Sequence, residues 1–101
     1  LFCQYESINS NVHITTIRPF HVYGPFERPS RLIPTLINNM LQKKNVKLVS
    51  PNISRDLIYI NDLIDFYLLI AKQKKLRGEI LNLGSGKRTT IKEIYIFYVI
   101  V

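Results

Sequence analysis

The chain has 101 residues, 47% of them hydrophobic and 21% charged, with a formal net charge of +7. That length bounds it to one domain with a modest core, and that balance excludes a disordered chain. A lone cysteine, Cys3, excludes a disulfide scaffold and fits a reducing, cytoplasmic compartment, and no charged-then-apolar leader opens the sequence.

Leu1 to about Ser10 reads as the end of a helix, closed by Asn9-Ser10-Asn11. The β-branched run Val12-His13-Ile14-Thr15-Thr16-Ile17 predicts a strand over about His13 to Arg18. Tyr23-Gly24-Pro25 then turns the chain, because Gly permits unusual backbone angles and Pro lacks an N–H. In open α/β sheets, ligands bind beyond the carboxyl ends of strands. The polar and aromatic cluster from Arg18 to Phe26 is therefore a candidate binding site.

Phe26 to Pro29 reads as a loop, and Ser30 is expected to cap a helix over roughly Arg31 to Lys44. Leu32, Ile33, Leu36, Ile37, Met40 and Leu41 recur there at helical spacing, with Pro34 near the first turn, where it is best tolerated. Lys47-Leu48-Val49 is a candidate short strand and Ser50-Pro51-Asn52 a turn. Arg55 to Ile60 reads as extended. Asn61 or Asp62 is expected to cap a helix over about Leu63 to Lys75, acidic at the front and basic at the back. Glu79 to Leu83 reads as a short buried strand, Gly84 to Lys87 as a turn, and Thr90-x-x-Glu93 as a capping box opening a last helix. The final run, Ile94 to Val101, is apolar all round but far too short to span a bilayer, so it is either fully buried or out of pattern with what precedes it.

Arg55 is the first chemical candidate, since a guanidinium is permanently charged and forks onto phosphate oxygens; the alternative is an ion pair with Asp56 or Asp62. His21 can face a ligand or simply be hydrogen-bonded at a strand end, and its ordinary pKa also allows acid–base work. Gly84-Ser85-Gly86-Lys87 lacks the spacing of a P-loop and the third Gly of a dinucleotide fingerprint. No His, Cys or carboxylate cluster has metal-ligand spacing. The basic clusters around Lys43, Lys74 and Lys87 read as solvated helix ends, as a pull on an anionic ligand, or as a nucleic-acid surface, though no zinc-finger or RNA-stacking motif accompanies them.

Three segments in order carry a resemblance: Arg18-Pro19-Phe20-His21-Val22-Tyr23-Gly24-Pro25, then Ser54-Arg55-Asp56-Leu57-Ile58-Tyr59-Ile60-Asn61-Asp62, then Ile80-Leu81-Asn82-Leu83-Gly84-Ser85-Gly86. Together they resemble the NAD-dependent epimerase/dehydratase family, extended short-chain dehydrogenase/reductases that act on nucleotide sugars. The resemblance runs to about Ile94. It implies an α/β fold: the C-terminal portion of a doubly wound Rossmann-type domain plus a small α/β substrate-binding lobe. It also implies NAD or NADP as cofactor, a nucleotide-diphosphate sugar as ligand, no nucleic acid or membrane partner, and a homodimeric parent. By the same resemblance the backbone of Pro19, Phe20 and Val22 approaches the nicotinamide. His21, Arg31, Leu32, Arg55 and Asn82 take the substrate, with Arg55 on the diphosphate. Leu32 can equally be core, and Asn82 a turn-capping amide.

Two positions depart from the family: His21 stands where Asn is usual, and Pro51 where Gly is common. The family's Tyr-x-x-x-Lys is expected just upstream of Leu1. Tyr5 is followed by Glu6-Ser7-Ile8-Asn9, so no catalytic role falls on it or on any other residue here. The expectation is the C-terminal part of a nucleotide-sugar epimerase, dehydratase or reductase, inactive on its own. The alternative is a small basic anion- or nucleic-acid-binding module without catalysis.

Overall fold

The computed structural model describes residues 1–48 and 50–100, and the side chains of all of these but Tyr98, Val99 and Ile100. Helix α1 covers Phe2–Asn9 and ends at Ser10, as the Asn9-Ser10-Asn11 stop predicts. Strand β1, Thr16–Pro19, is half-buried and pairs in parallel with β4, Ile80–Leu83. Arg77 fastens α1 to the connection before β4: its Nε donates to the Ser7 carbonyl at 2.6 Å and its Nη2 to the Ser10 carbonyl. Ser7 is fully buried at this junction.

A second sheet follows without a break. Strand β2, His21–Tyr23, pairs in parallel with β3, Ser54–Tyr59, and β3 pairs antiparallel with β5, Arg88–Thr90. The strand orders are β1-β4 and β2-β3-β5. Between them lie α2, Leu32–Leu41, and α3, Ile60–Ala71; a 3₁₀ turn at Lys74–Leu76 and the last helix α4, Ile91–Ile100, complete the chain. The core sits in this second half. Ile33 and Leu36 of α2 close on Ile94 of α4, with Tyr23, Leu32 and Leu57 packed around them. Ile58 and Leu63 are the other buried apolar residues among the described ones.

The result is elongated. The radius of gyration is 17.7 Å, against about 13 Å for a compact chain of this length. Much apolar surface is left open, on α1 (Phe2, Tyr5, Ile8) and on α3 (Ile64, Leu68, Leu69).

Several boundaries differ from the sequence reading. Ser30 does not cap α2; Arg31 holds that position with no side-chain cap, and Pro29 accepts instead from the Thr35 hydroxyl at 3.0 Å. Helix α3 starts at Ile60 and ends at Ala71, so Asn61 and Asp62 lie inside its first turn and Lys74 and Lys75 fall in the 3₁₀ turn beyond. Lys47 and Leu48 form no strand, and Val49 lies outside the described residues. β4 is half-buried rather than buried. The run from Ile94 is not fully buried: Ile94 is, but Ile96 and Phe97 are exposed, and Val101 lies outside the described residues. The capping box forms as expected. The Thr90 N–H and hydroxyl both donate to Glu93 Oε2 at 2.7 Å, and the Glu93 N–H returns to Thr90 Oγ1 at 3.1 Å.

Candidate functional site

Both strands of the first sheet run directly into the second sheet, so the chain crosses between sheets twice, side by side. The first crossing is a single residue: β1 ends at Pro19, β2 begins at His21, and the Phe20 N–H donates to the Leu83 carbonyl at 2.9 Å. The second crossing is Gly84 to Lys87, from β4 to β5. It has no ladder to satisfy its amides, and Asp56 of β3 supplies the acceptor. Its Oδ1 accepts from the Ser85 N–H at 2.7 Å and the Ser85 hydroxyl at 2.6 Å, and its Oδ2 from the Gly86 N–H at 2.9 Å. These bonds, the Ser85 hydroxyl foremost, hold the Asp56 carboxyl below the usual aspartate range. The crossings touch at Gly84: a Cβ there would stand 2.5 Å from the Phe20 ring and 2.7 Å from Asp56 Oδ2, so one or both of these side chains would have to shift.

Beside the crossings opens a groove of about 720 Å³, bordered by Phe20, His21, Ser54, Arg55, Asp56, Gly86 and Arg88. Arg55 is exposed there, and among the described residues its guanidinium donates only to the Ser54 carbonyl, at 3.1 Å. Among the described residues Arg55 forms an ion pair with neither Asp56 nor Asp62; Asp56 accepts from the turn instead. The one ion pair among the described residues is Arg31 Nε to Glu27 Oε1, at 3.2 Å. His21 is held below the ordinary histidine value, first by burial and then by the positive charges of Arg31 and Arg55, with Glu27 opposing them. His21, Arg31 and Arg55 therefore share one electrostatic environment.

The other expected site residues are placed differently. Pro19 closes β1 opposite Leu83, and Val22 is laddered opposite Ile58. Leu32 packs on the Ile33–Leu36–Ile94 cluster. Asn82 is exposed on β4 opposite Arg18, does not border the groove, and makes no hydrogen bond to the turn that follows it. Sequence reasoning missed Ser54 and Arg88 as groove residues and Asp56 as the turn's acceptor. A glycine-rich turn with no ladder of its own needs an external acceptor, and that is the signal that pointed to one.

Two guanidinium groups, an imidazole and a serine border the groove with an exposed aromatic ring and one carboxylate, Asp56, which is hydrogen-bonded to the turn; the positive excess suits an anion attached to a flat or apolar group. Among the described residues no group of three or more His, Cys, Asp or Glu could hold a metal, and no helix is long and apolar enough to cross a membrane.

Comparison with known proteins agrees with this architecture. The profile of the NAD dependent epimerase/dehydratase family matches residues 2–84. CDP-abequose synthase of Salmonella muenchen is 29% identical over 92 residues, 90% of this chain and 31% of that protein. UDP-glucuronate 4-epimerase of Thermodesulfobacterium geofontis is 39% identical over 75 residues, 73% of this chain and 23% of that protein. The crystal structure of UDP-glucuronic acid 4-epimerase from Bacillus cereus, in complex with UDP-glucuronic acid and NAD, superposes with a TM-score of 0.79 at 32% identity, over 91% of this chain and 30% of that one. That of dTDP-glucose 4,6-dehydratase from Bacillus anthracis superposes with a TM-score of 0.85 at 22% identity, a likeness of fold alone. This chain thus spans about a third or less of the length of these curated relatives. Its α/β fold is that of the Rossmann-type enzymes it superposes on, as the motifs implied. With the family profile matched over residues 2–84 and the fold shared, the chain belongs to the NAD dependent epimerase/dehydratase family.

Proposed function

We propose that this chain is the C-terminal, sugar-nucleotide-binding part of an NAD- or NADP-dependent enzyme that epimerises, dehydrates or reduces a nucleotide-diphosphate sugar. One observation carries the reading: Arg55 borders the groove without an acidic partner among the described residues, while the adjacent Asp56 is committed to the Gly84–Lys87 turn. A charge so placed suits an anionic ligand. The similar proteins named for CDP-abequose, UDP-glucuronate and dTDP-D-glucose differ in base and sugar and share the nucleoside diphosphate.

The residues present fit the nicotinamide end of the cofactor. Phe20, 56% exposed, offers an aromatic face at the carboxyl ends of the parallel β1–β4 pair, where open α/β sheets take ligands. Phe20 and the backbone of Pro19 and Val22 would hold that end. When bound, the cofactor supplies hydride transfer. The sequence contains neither a Tyr-x-x-x-Lys nor a Gly-x-x-Gly-x-x-Gly, so this chain alone is expected to give no turnover. The open apolar faces of α1 and α3 support a larger parent covering them, in this reading a cytoplasmic homodimer.

The test is Arg55→Ala in the full-length protein, titrated by calorimetry with nucleotide-diphosphate sugar and separately with the dinucleotide. Arg55 is exposed, so the loss is expected at about 1.5–3 kcal/mol, the range for a hydrogen bond to a charged group. Arg55→Lys should recover only part, because an ammonium cannot fork. Cofactor affinity should stay unchanged. Undiminished sugar-nucleotide binding by Arg55→Ala would overturn the reading.

A further inference from the structure

Between the loop that follows β2 and helix α2 lies a cavity of about 420 Å³, the size of a small-molecule site. The chain carries a net charge of +7, yet among the described residues no lysine or arginine borders this cavity. Three aromatic residues do: Tyr23, Phe26 and Tyr59. The Tyr23 and Tyr59 rings are tilted by 52°, their centroids 5.5 Å apart. Phe26 is fully exposed and has φ of 68°, an outlier for a bulky side chain. Packing within the fold does not hold it there, and backbone strain of this kind gathers at ligand clamps. The acid at the cavity is Glu27, whose side chain is 14% exposed. Its Oε1 accepts from Arg31 Nε at 3.2 Å, but its Oε2 is buried and accepts no hydrogen bond among the described residues. No other buried side-chain nitrogen or oxygen among them is left in that state. A carboxylate oxygen that has lost water and gained no donor destabilises the fold until a donor reaches it.

We propose that this cavity is a binding site for a small organic cation, a primary ammonium on an apolar body. One N–H of the ammonium donates to Glu27 Oε2, its charge meets the aromatic faces, and the apolar body lies against Ile33 and Pro34. A cation suits the cavity better than a neutral donor on two counts. A hydrogen bond from a charged donor to a carboxylate is the stronger one, and an aromatic face attracts positive charge. An anion would meet the Glu27 charge with no cation bordering the cavity to offset it. The cavity shares no residue with the groove beside Arg55, and its charge preference is the opposite one. The inference therefore does not rest on the function proposed above.

The experiment uses the full-length protein at constant ionic strength and follows NMR shifts on titration with benzylammonium chloride and, separately, with benzyl alcohol, its neutral counterpart. Benzylammonium is expected to bind with a Kd of about 1 mM, as befits a ligand of this size, and benzyl alcohol about 10-fold more weakly. Glu27→Gln removes the charge and keeps the shape, so it should bring benzylammonium down to the level of the alcohol and leave the alcohol unchanged. Phe26→Leu should weaken benzylammonium by about 2- to 5-fold, the value of an exposed cation–π contact. The inference falls if wild type does not bind benzylammonium, if it binds the alcohol as tightly, or if Glu27→Gln keeps the preference for the cation. If Glu27→Gln melts early, Phe26→Leu decides: its ring is fully exposed, so the fold does not depend on it, and wild-type affinity there overturns the proposal. None of these outcomes touches Arg55 or the sugar nucleotide, so the proposed function stands or falls on its own test.

Discussion

Gly24 is where the site is most exposed to a single added carbon. It follows β2 with φ of 153°, a backbone region open essentially to glycine. A Cβ there would stand 2.4 Å from Ile60 Cγ2 and 3.0 Å from Ile60 Cβ. Ile60 opens α3, and a β-branched side chain in a helix is confined to nearly one rotamer, so it cannot swing aside. Two costs add: about 1–3 kcal/mol for overpacking and a similar amount for the strained backbone. Gly24→Ala is therefore expected to destabilise the protein by about 2–6 kcal/mol. The two parts separate in a double-mutant cycle read by urea unfolding. Ile60→Ala removes Cγ2 and should recover the packing share; Ile60→Val keeps Cγ2 and should recover almost nothing. A Gly24→Ala cost below about 0.5 kcal/mol, or equal rescue by Ile60→Val and Ile60→Ala, would refute the geometry. The consequence reaches His21, because the Gly24 carbonyl accepts from the Glu27 N–H at 3.3 Å, Glu27 pairs with Arg31, and the charges of both act on His21.

Two further predictions concern protons. Asp56 titrates below its ordinary value in the folded state, so its contribution is present above the unfolded carboxylate pKa and is lost as pH falls through the depressed one; the Ser85 and Gly86 amide shifts, followed by NMR, should move with a midpoint below the usual aspartate range, and Asp56→Ala should speed their hydrogen exchange. A midpoint at or above the ordinary value would contradict the clamp. His21 is likewise depressed, by burial and by Arg31 and Arg55, so it is uncharged near neutral pH, and its protonation destabilises the free fold as pH falls below the usual histidine range. A bound diphosphate favours the imidazolium, so affinity for a nucleotide-diphosphate sugar, which does not itself titrate there, should rise as pH is lowered through that range. The rise should vanish in His21→Asn, and a persistent rise would assign the proton elsewhere.

The sequence was most readable where one residue's local chemistry decides the structure. The α1 stop, the extended segment from Arg55 and the Thr90–Glu93 box needed only neighbours within one turn or one strand. It was least readable where propensity lost to tertiary contact. Ser30 is a good cap by type, yet α2 starts two residues later, and the Thr35 hydroxyl reaches back to Pro29 instead. Asn61 and Asp62 are good caps too, but the β3 backbone continues straight into α3 at Ile60 and carries them inside the helix. Strand β5 is three residues of Arg and Thr, with no apolar alternation to mark it; only its pairing with Ser54 to Asp56 makes it a strand.

The same division runs through the candidate site. Phe20, His21 and Arg55 were legible because they sit inside motifs at strand ends, and strand ends are where an α/β sheet presents ligands. Asp56 and Arg88 were not, because what each does depends on a partner about thirty residues away. Read locally, Asp56 belongs to Arg55, and Arg88 to a basic run at the end of a turn. The fold reassigns both through one set of bonds, spanning 29 and 30 residues, from Ser85 and Gly86 to the Asp56 carboxylate. Those bonds engage the acid that Arg55 would otherwise pair with, and an arginine without an acidic partner among the described residues is what an anion requires. The negative charge nearest the groove thus acts for the site by being occupied elsewhere, a relation that no spacing along the chain encodes.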